Sequence, residues 1–119
     1  MYPHATVLDD SLACAIWFSS RGKGKLHGTN QSYESNCRVL LLGMGADEQF
    51  GGYIRHRNTL KNKGWTALSE ELKLEFSRIS DRNLGRDDRM VSDHGRQGRF
   101  PYLDEDLVTF VQRLPPWER

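Results

Sequence analysis

Two cysteines in 119 residues are too few for the disulfide framework of a small secreted domain. Cys14 lies in an apolar helical run and Cys37 just ahead of a strand, so both read as small buried or half-buried hydrophobes in a reducing compartment. Long apolar runs are missing too. The longest, residues 12–18, is far short of a membrane span, and the opening Met1-Tyr2-Pro3-His4 is not a basic segment followed by a signal-type apolar stretch. Nor is there charge of one sign: 17 basic against 16 acidic residues leave +1, with no global field to attract nucleic acid or an anionic membrane. The expectation is a cytoplasmic protein with neither a nucleic acid nor a membrane as partner.

Familiar catalytic spacings are equally scarce. Gly22-Lys23-Gly24-Lys25 lacks the Gly-x4-Gly-Lys-Ser/Thr spacing of a phosphate loop and has no strand before it. His4, His27, His56 and His94 are scattered, with no His-Glu-x-x-His pattern, and each reads as a surface or hydrogen-bonding histidine. Ser77 and Ser92 have no nucleophile-elbow context, which excludes a hydrolase triad. The basic stretch at Arg55, His56, Arg57, Lys61 and Lys63 has only Tyr53 and Trp65 nearby for base stacking, so it reads as a solvated helix end. No repeat and no low-complexity tract occurs, and one domain is the economical reading.

What is present reads as a helix-rich α/β pattern. Asp9, Asp10 and Ser11 offer N-cap chemistry for residues 12–18, a run apolar on nearly every side and expected to be buried all round. Residues 21–36, rich in glycine and polar groups, read as a mobile surface loop. Residues 38–42 suit a single strand covered on both faces. Trp65, Leu68, Leu72, Phe76 and Ile79 recur at steps of three and four, predicting an amphipathic core helix with Glu70, Glu71, Lys73 and Glu75 mainly outward. The charged stretch 83–99 predicts a short helix and a loop. Asp104 caps a last helix whose apolar face is Leu107, Val108, Val111 and Leu114, and Pro115-Pro116 stops it.

Between the strand and the core helix lies the most informative string, Leu41-Leu42-Gly43-Met44-Gly45-Ala46-Asp47-Glu48-Gln49-Phe50-Gly51-Gly52-Tyr53. Gly43 and Gly45 let the backbone turn sharply at the strand end, and an acidic pair follows. Ligands of open α/β sheets sit beyond the carboxyl ends of strands, where Asp47 can hold a magnesium-bound polyphosphate. Asp47 can equally cap a helix over residues 48–53, and local spacing alone ranks the cap slightly ahead.

The string resembles the Ser-Gly-x-Gly-Ala/Ser-Asp-Glu-x-Phe-x-Gly-Tyr signature of the asparagine synthase family, matched in register by Gly43, Gly45, Ala46, Asp47, Glu48, Phe50, Gly52 and Tyr53. Asp88-Arg89-Met90, His94-Gly95 and Arg99-Phe100-Pro101-Tyr102-Leu103-Asp104 resemble further family elements in the same order, and residues 77–89 resemble a divergent branch. The resemblance implies the helix-rich C-terminal part of an adenine nucleotide alpha hydrolase-like, pyrophosphate-loop ATPase domain with a parallel sheet. It implies ATP and Mg2+ as cofactors, aspartate or a related acid as substrate, and an AMP-forming amidotransferase of asparagine biosynthesis. Asp47 matches the family's acidic metal position; Leu42, Gly43 and Gly45 match the strand end and turn beside the nucleotide. Met44 stands at the catalytic position where family synthetases often carry Glu, and a thioether cannot ionise. Arg96-Gln97-Gly98-Arg99 likewise has an amide in place of an acid, with Arg99 read as structural.

Two family parts are not found in residues 1–119: the Ser-Gly-Gly-x-Asp-Ser pyrophosphate loop, and the glutaminase domain, which needs a cysteine where Tyr2 stands. The expectation is therefore a partial synthetase domain over residues 1–119, marginally stable alone, with a partner chain supplying the missing half-domain. The alternative is a catalytically inactive relative or fragment acting as a binding module.

Overall fold

The computed structural model describes residues 6–119, Arg82 by its backbone alone, so His4 and Tyr2 lie outside the described residues. Two compact units divide the chain: one runs to Leu40 and takes in Gly85–Arg99, the other is Leu41–Leu84 with Phe100–Arg119.

In the first unit, helix α1 (Val7–Ser20) starts from Thr6, not from the Asp9-Asp10-Ser11 cluster. The Thr6 hydroxyl accepts from the Asp9 amide at 3.2 Å, which leaves Asp9 and Asp10 in the first turn, where the helix dipole favours them. The helix packs against α4 (Gly85–Ser92) along Ala13 and Ser20, spaced two turns apart, and Val91 is fully buried. Burial all round does not occur. Leu8, Leu12 and Phe18 are exposed, and so is Cys14, because a helix with one packing neighbour buries one stripe and leaves the rest outside. Polar bonds close the pair: Ser20 donates to the Met90 carbonyl at 3.1 Å, Trp17 Nε1 to Asp93 at 2.5 Å, and His94 Nε2 to the Trp17 carbonyl at 2.9 Å. Arg86, buried, donates to Asp9 at 2.9 Å and to Asp87 at 2.7 Å. Burial pushes the Asp87 carboxyl above its ordinary value, against the opposing pull of Arg86.

Residues 21–36 form a hairpin, correcting the loop expectation. Strand β1 (Lys23–Lys25) pairs antiparallel with β2 (Ser32–Glu34), Lys23 opposite Glu34, and these two are joined by an ion pair of 3.1 Å. Every strand residue is exposed, so apolar patterning gives no sign of it. Its base is held from a distant part of the chain: the Arg96 guanidinium donates to the carbonyls of Arg21, Ser35 and Cys37. Gly22 (φ +69°) lies under that guanidinium, and a Cβ there would overlap it.

Strand β3 (Val39–Leu41) forms a second two-stranded sheet with β4 (Gln97–Arg99), where the Gln97 amide donates to the Arg38 carbonyl at 2.8 Å. The sequence predicts one strand buried on both faces; four short strands are found among the described residues, and Val39 is 49% and Leu41 75% exposed. A strand buries its faces only where other layers cover them. Cys37 is exposed as well. The class is thus a mixed, helix-rich α/β arrangement with two small sheets.

The second unit contains α2 (Ala46–Phe50), α3 (Ile54–Ser77), a π turn (Ser80–Leu84), a 3-10 turn (Pro101–Leu103), α5 (Glu105–Arg113) and a last 3-10 turn (Pro116–Glu118). Gly64, at φ +80° and ψ −176°, breaks α3 into two helical arms. Leu68, Leu72 and Ile79 of the predicted stripe are buried, while Trp65 is exposed and meets Trp117 edge-on at 6.1 Å. Asp104 caps α5 as predicted, accepting from the amides of Asp106 and Leu107 at 3.1 and 3.2 Å. Val111 is the buried centre of that helix, and Pro115 follows its end. Among the described residues no helix is long and apolar enough to cross a membrane.

The Gly22→Ala variant combines a positive-φ strain with a clash at Arg96, and is expected to lower stability by about 1–3 kcal/mol in urea unfolding. An unchanged midpoint would show that the guanidinium does not hold the hairpin base.

Candidate functional site

All five residues singled out by the glycine turn lie in the second unit. Leu42 and Met44 are half-buried, Gly43 is exposed, and Gly45 is buried. Gly45 is required at its position: it is the left-handed N-cap of α2 at φ +92°, and a Cβ would run into the Leu103 side chain. Helix α2 covers residues 46–50 rather than 48–53, because Gly51, also left-handed at φ +72°, ends it. Asp47 is therefore not the cap. It sits inside the first turn, and its carbonyl accepts from the Gly51 and Gly52 amides at 2.9 and 3.1 Å.

The Asp47 side chain folds over Gly52, where a Cβ would overlap its carboxylate, while the residue stays exposed. Among the described residues no cationic side chain lies within ion-pair distance of it. Chemically this is a positioned, uncompensated carboxylate. Glu48 beside it is different: it is buried and accepts from the Tyr53 hydroxyl at 2.7 Å. Burial first, then the Glu48 carboxylate, push the Tyr53 phenol well above its ordinary value, so it stays a donor. Gln49, buried, donates its amide to the Tyr102 carbonyl and ties α2 to the Pro101–Leu103 turn. The acidic pair thus divides into one outward carboxylate and one inward anchor.

A second polar cluster stands next to the turn. His56 is 1% exposed and donates Nε2–H to Glu75 at 2.8 Å, and Arg55 grips both Glu75 oxygens at 2.6 and 2.8 Å. The Arg55 guanidinium also lies over the Tyr53 ring at 4.0 Å. Arg55, Arg57, Lys61 and Lys63 are exposed, as a solvated helix end requires, but His56 is buried and Glu75 is turned inward to meet it and Arg55: the break at Gly64 lets residues 19 and 20 positions apart meet. A glycine inside a helical pattern was the available signal. Burial raises the Glu75 pKa, and the hydrogen bonds from Arg55 and His56 outweigh it, leaving the carboxyl below its ordinary value.

Comparison with known proteins adds the lineage. A family model described as asparagine synthase matches residues 58–119, just over half of the chain. The chain belongs to the asparagine synthase family. It is 53% identical over 119 residues, 98% of its length, to the asparagine synthetase domain-containing protein 1 of Mus musculus. Similarity extends to a putative asparagine synthetase [glutamine-hydrolyzing] 1 of Methanocaldococcus jannaschii, 38% identical over 69% of the chain, and to asparagine synthetase [glutamine-hydrolyzing] 1 of Arabidopsis thaliana, 28% over 66%. These matches cover 19%, 15% and 13% of the respective relatives, so the chain spans at most about a fifth of their length. No solved structure matches. The family match begins after the glycine turn and includes the Arg99-Phe100-Pro101-Tyr102-Leu103-Asp104 element, whereas the similarity to the mouse relative covers nearly the whole chain.

Two outcomes follow from the buried partners. Tyr53→Phe removes the hydroxyl that Glu48 accepts from, and is expected to cost about 1–3 kcal/mol in urea unfolding. Because the folded-state pKa of Glu75 is depressed, its contribution to stability is complete above the ordinary value of 4.5 and is lost as pH falls through the lower folded value. Thermal denaturation across that acid range is expected to show a slope that Glu75→Gln flattens; an identical slope in the variant would contradict the assignment.

Proposed function

We propose that this chain contributes the second half of the ATP site of an asparagine synthase-like, AMP-forming amidotransferase. The carrying observation is the Asp47 carboxylate: exposed, without a neighbouring cation among the described residues, and set against Gly52 at the start of α2. Magnesium keeps several waters and takes one or two carboxylates together with phosphate oxygens, a demand that one outward carboxylate fits. Asp47 would hold the ion and through it the pyrophosphate part of ATP. Leu42, Gly43 and Gly45 would line the nucleotide with backbone groups, which makes leucine acceptable at 42. When bound, the ion offsets the charge that builds on departing pyrophosphate.

In that reaction a substrate carboxylate oxygen bonds to the α-phosphorus, the bond to pyrophosphate breaks, and an acyl-adenylate results. Ammonia then attacks the acyl carbon, AMP departs, and the nitrogen sheds a proton to a base. Aspartate or a related acid is the substrate class. Met44 cannot be that base, so another group would take that role, and the Ser-Gly-Gly-x-Asp-Ser loop would come from polypeptide outside these 119 residues. Met44 also favours a second reading: a relative without catalysis that keeps the fold to bind a nucleotide or a partner chain. Either would act in the cytoplasm.

Aspartate-dependent ATP–pyrophosphate exchange separates the two readings, measured with a polypeptide carrying the phosphate loop supplied. Exchange that falls roughly a hundredfold in Asp47→Asn supports the ligase reading. Its absence under those conditions leaves the binding module.

A further inference from the structure

We propose that His56, Glu71 and Glu75 form a binding site for a divalent transition-metal ion of the zinc class, separate from any magnesium held by Asp47. One ligand atom from each of the three lies within 4.8 Å of the others. The two glutamates are one helical turn apart on the C-terminal arm of α3, and His56 comes from the N-terminal arm. The break at Gly64 is what brings them together.

Three features distinguish this from a chance group of surface acids. His56 is 1% exposed, its Nε2 faces Glu75 at 2.8 Å, and its Nδ1 is buried without a hydrogen-bond partner. Coordination therefore falls to Nε2, the nitrogen that already faces the carboxylates, and Nδ1 stays unpaired with or without the ion. Both Glu75 oxygens are held by the Arg55 fork, Oε2 being shared with His56, and such an outer contact fixes a ligating carboxylate. Glu71 is half-buried, and no ion pair to it is among those formed by the described residues. The charges suit a dication: two carboxylates, one guanidinium and a neutral imidazole sum to one negative charge.

The donor set selects the ion. One imidazole nitrogen with two carboxylate oxygens suits zinc or cobalt, with a fourth position left to water; magnesium prefers oxygens only. Bonds of about 2.0–2.1 Å place ligand atoms roughly 3.3 Å apart, so the His56–Glu75 pair opens from 2.8 Å while Glu71 adjusts its rotamer. On binding, the neutral ring changes tautomer: Nε2 gives up its proton to solvent and donates its lone pair to the metal, and Nδ1 takes a proton from solvent in its place. That buried N–H has no acceptor, so affinity is expected near the micromolar range rather than the nanomolar.

The test uses the 119-residue chain with Cys14→Ser and Cys37→Ser, both positions being exposed, to remove thiol ligands. Cobalt titration is expected to give visible d–d absorption that saturates at one ion per chain and is displaced by zinc. Glu71→Gln, with unchanged circular dichroism, is expected to weaken binding at least tenfold, and His56→Gln to remove the absorption. Should His56→Gln fail to fold, Glu71→Gln decides alone. Absence of retained zinc after equilibrium dialysis, or cobalt binding unaltered in Glu71→Gln, would overturn the site and leave an ion-pair clamp. Neither readout involves ATP, so the outcome is independent of the proposed ligase reaction.

Discussion

Glu75 is where the second unit is drawn together. Its carboxylate sits in the C-terminal arm of α3, and the two groups that grip it, the Arg55 fork and the His56 imidazole, come from the other arm. Arg55 then lies over Tyr53, and Tyr53 holds the buried Glu48. A chain of polar contacts therefore runs from the core helix back to the glycine turn, and each link limits the freedom of the next. Such a network stabilises only while all members are present, since a buried acid that loses its donor bears the full desolvation cost. Asp47 directly precedes Glu48, the last link of that chain.

The family signature separates on physical grounds into scaffold and chemistry. Gly45 and Gly51 are there for left-handed backbone, Gly52 for the room that the Asp47 carboxylate occupies, and Glu48 with Tyr53 for a buried hydrogen bond. Asp47 alone among the charged members faces outward, with no cation to neutralise it among the described residues. A motif can therefore persist through a loss of catalysis, because most of its positions are needed to make the turn. That is why Met44, rather than the intact remainder of the signature, carries the weight in judging whether chemistry survives.

How much was legible in the sequence depended on the range of the deciding interaction. The α5 cap was legible because Asp104 bonds amides two and three residues away, and the 68/72/79 stripe because helical period is a local property. The start of α1 was misread by a few residues, since Thr6, Asp9, Asp10 and Ser11 all have capping side chains and only backbone geometry chooses among them. The hairpin escaped notice because its strands bury nothing and its base is fastened by Arg96, some sixty residues on. His56 and Glu75 were unconnected in the sequence for a similar reason: they meet only when Gly64 folds the helix back. The exposure of β3 was not legible either, as a run of valine and leucine states what a strand would bury and not what is there to cover it.

The β1–β2 hairpin has a different consequence. Its strand side chains lie in solvent, its pairing is supplied by backbone groups, and its fastening lies at the neck, where Arg96 reaches the Arg21, Ser35 and Cys37 carbonyls. Natural variation in the length and composition of the tip is consequently cheap, while the neck is not. The same division makes residues 26–31 a suitable place to graft an epitope or a fluorophore-binding peptide without disturbing the packing of α1 on α4.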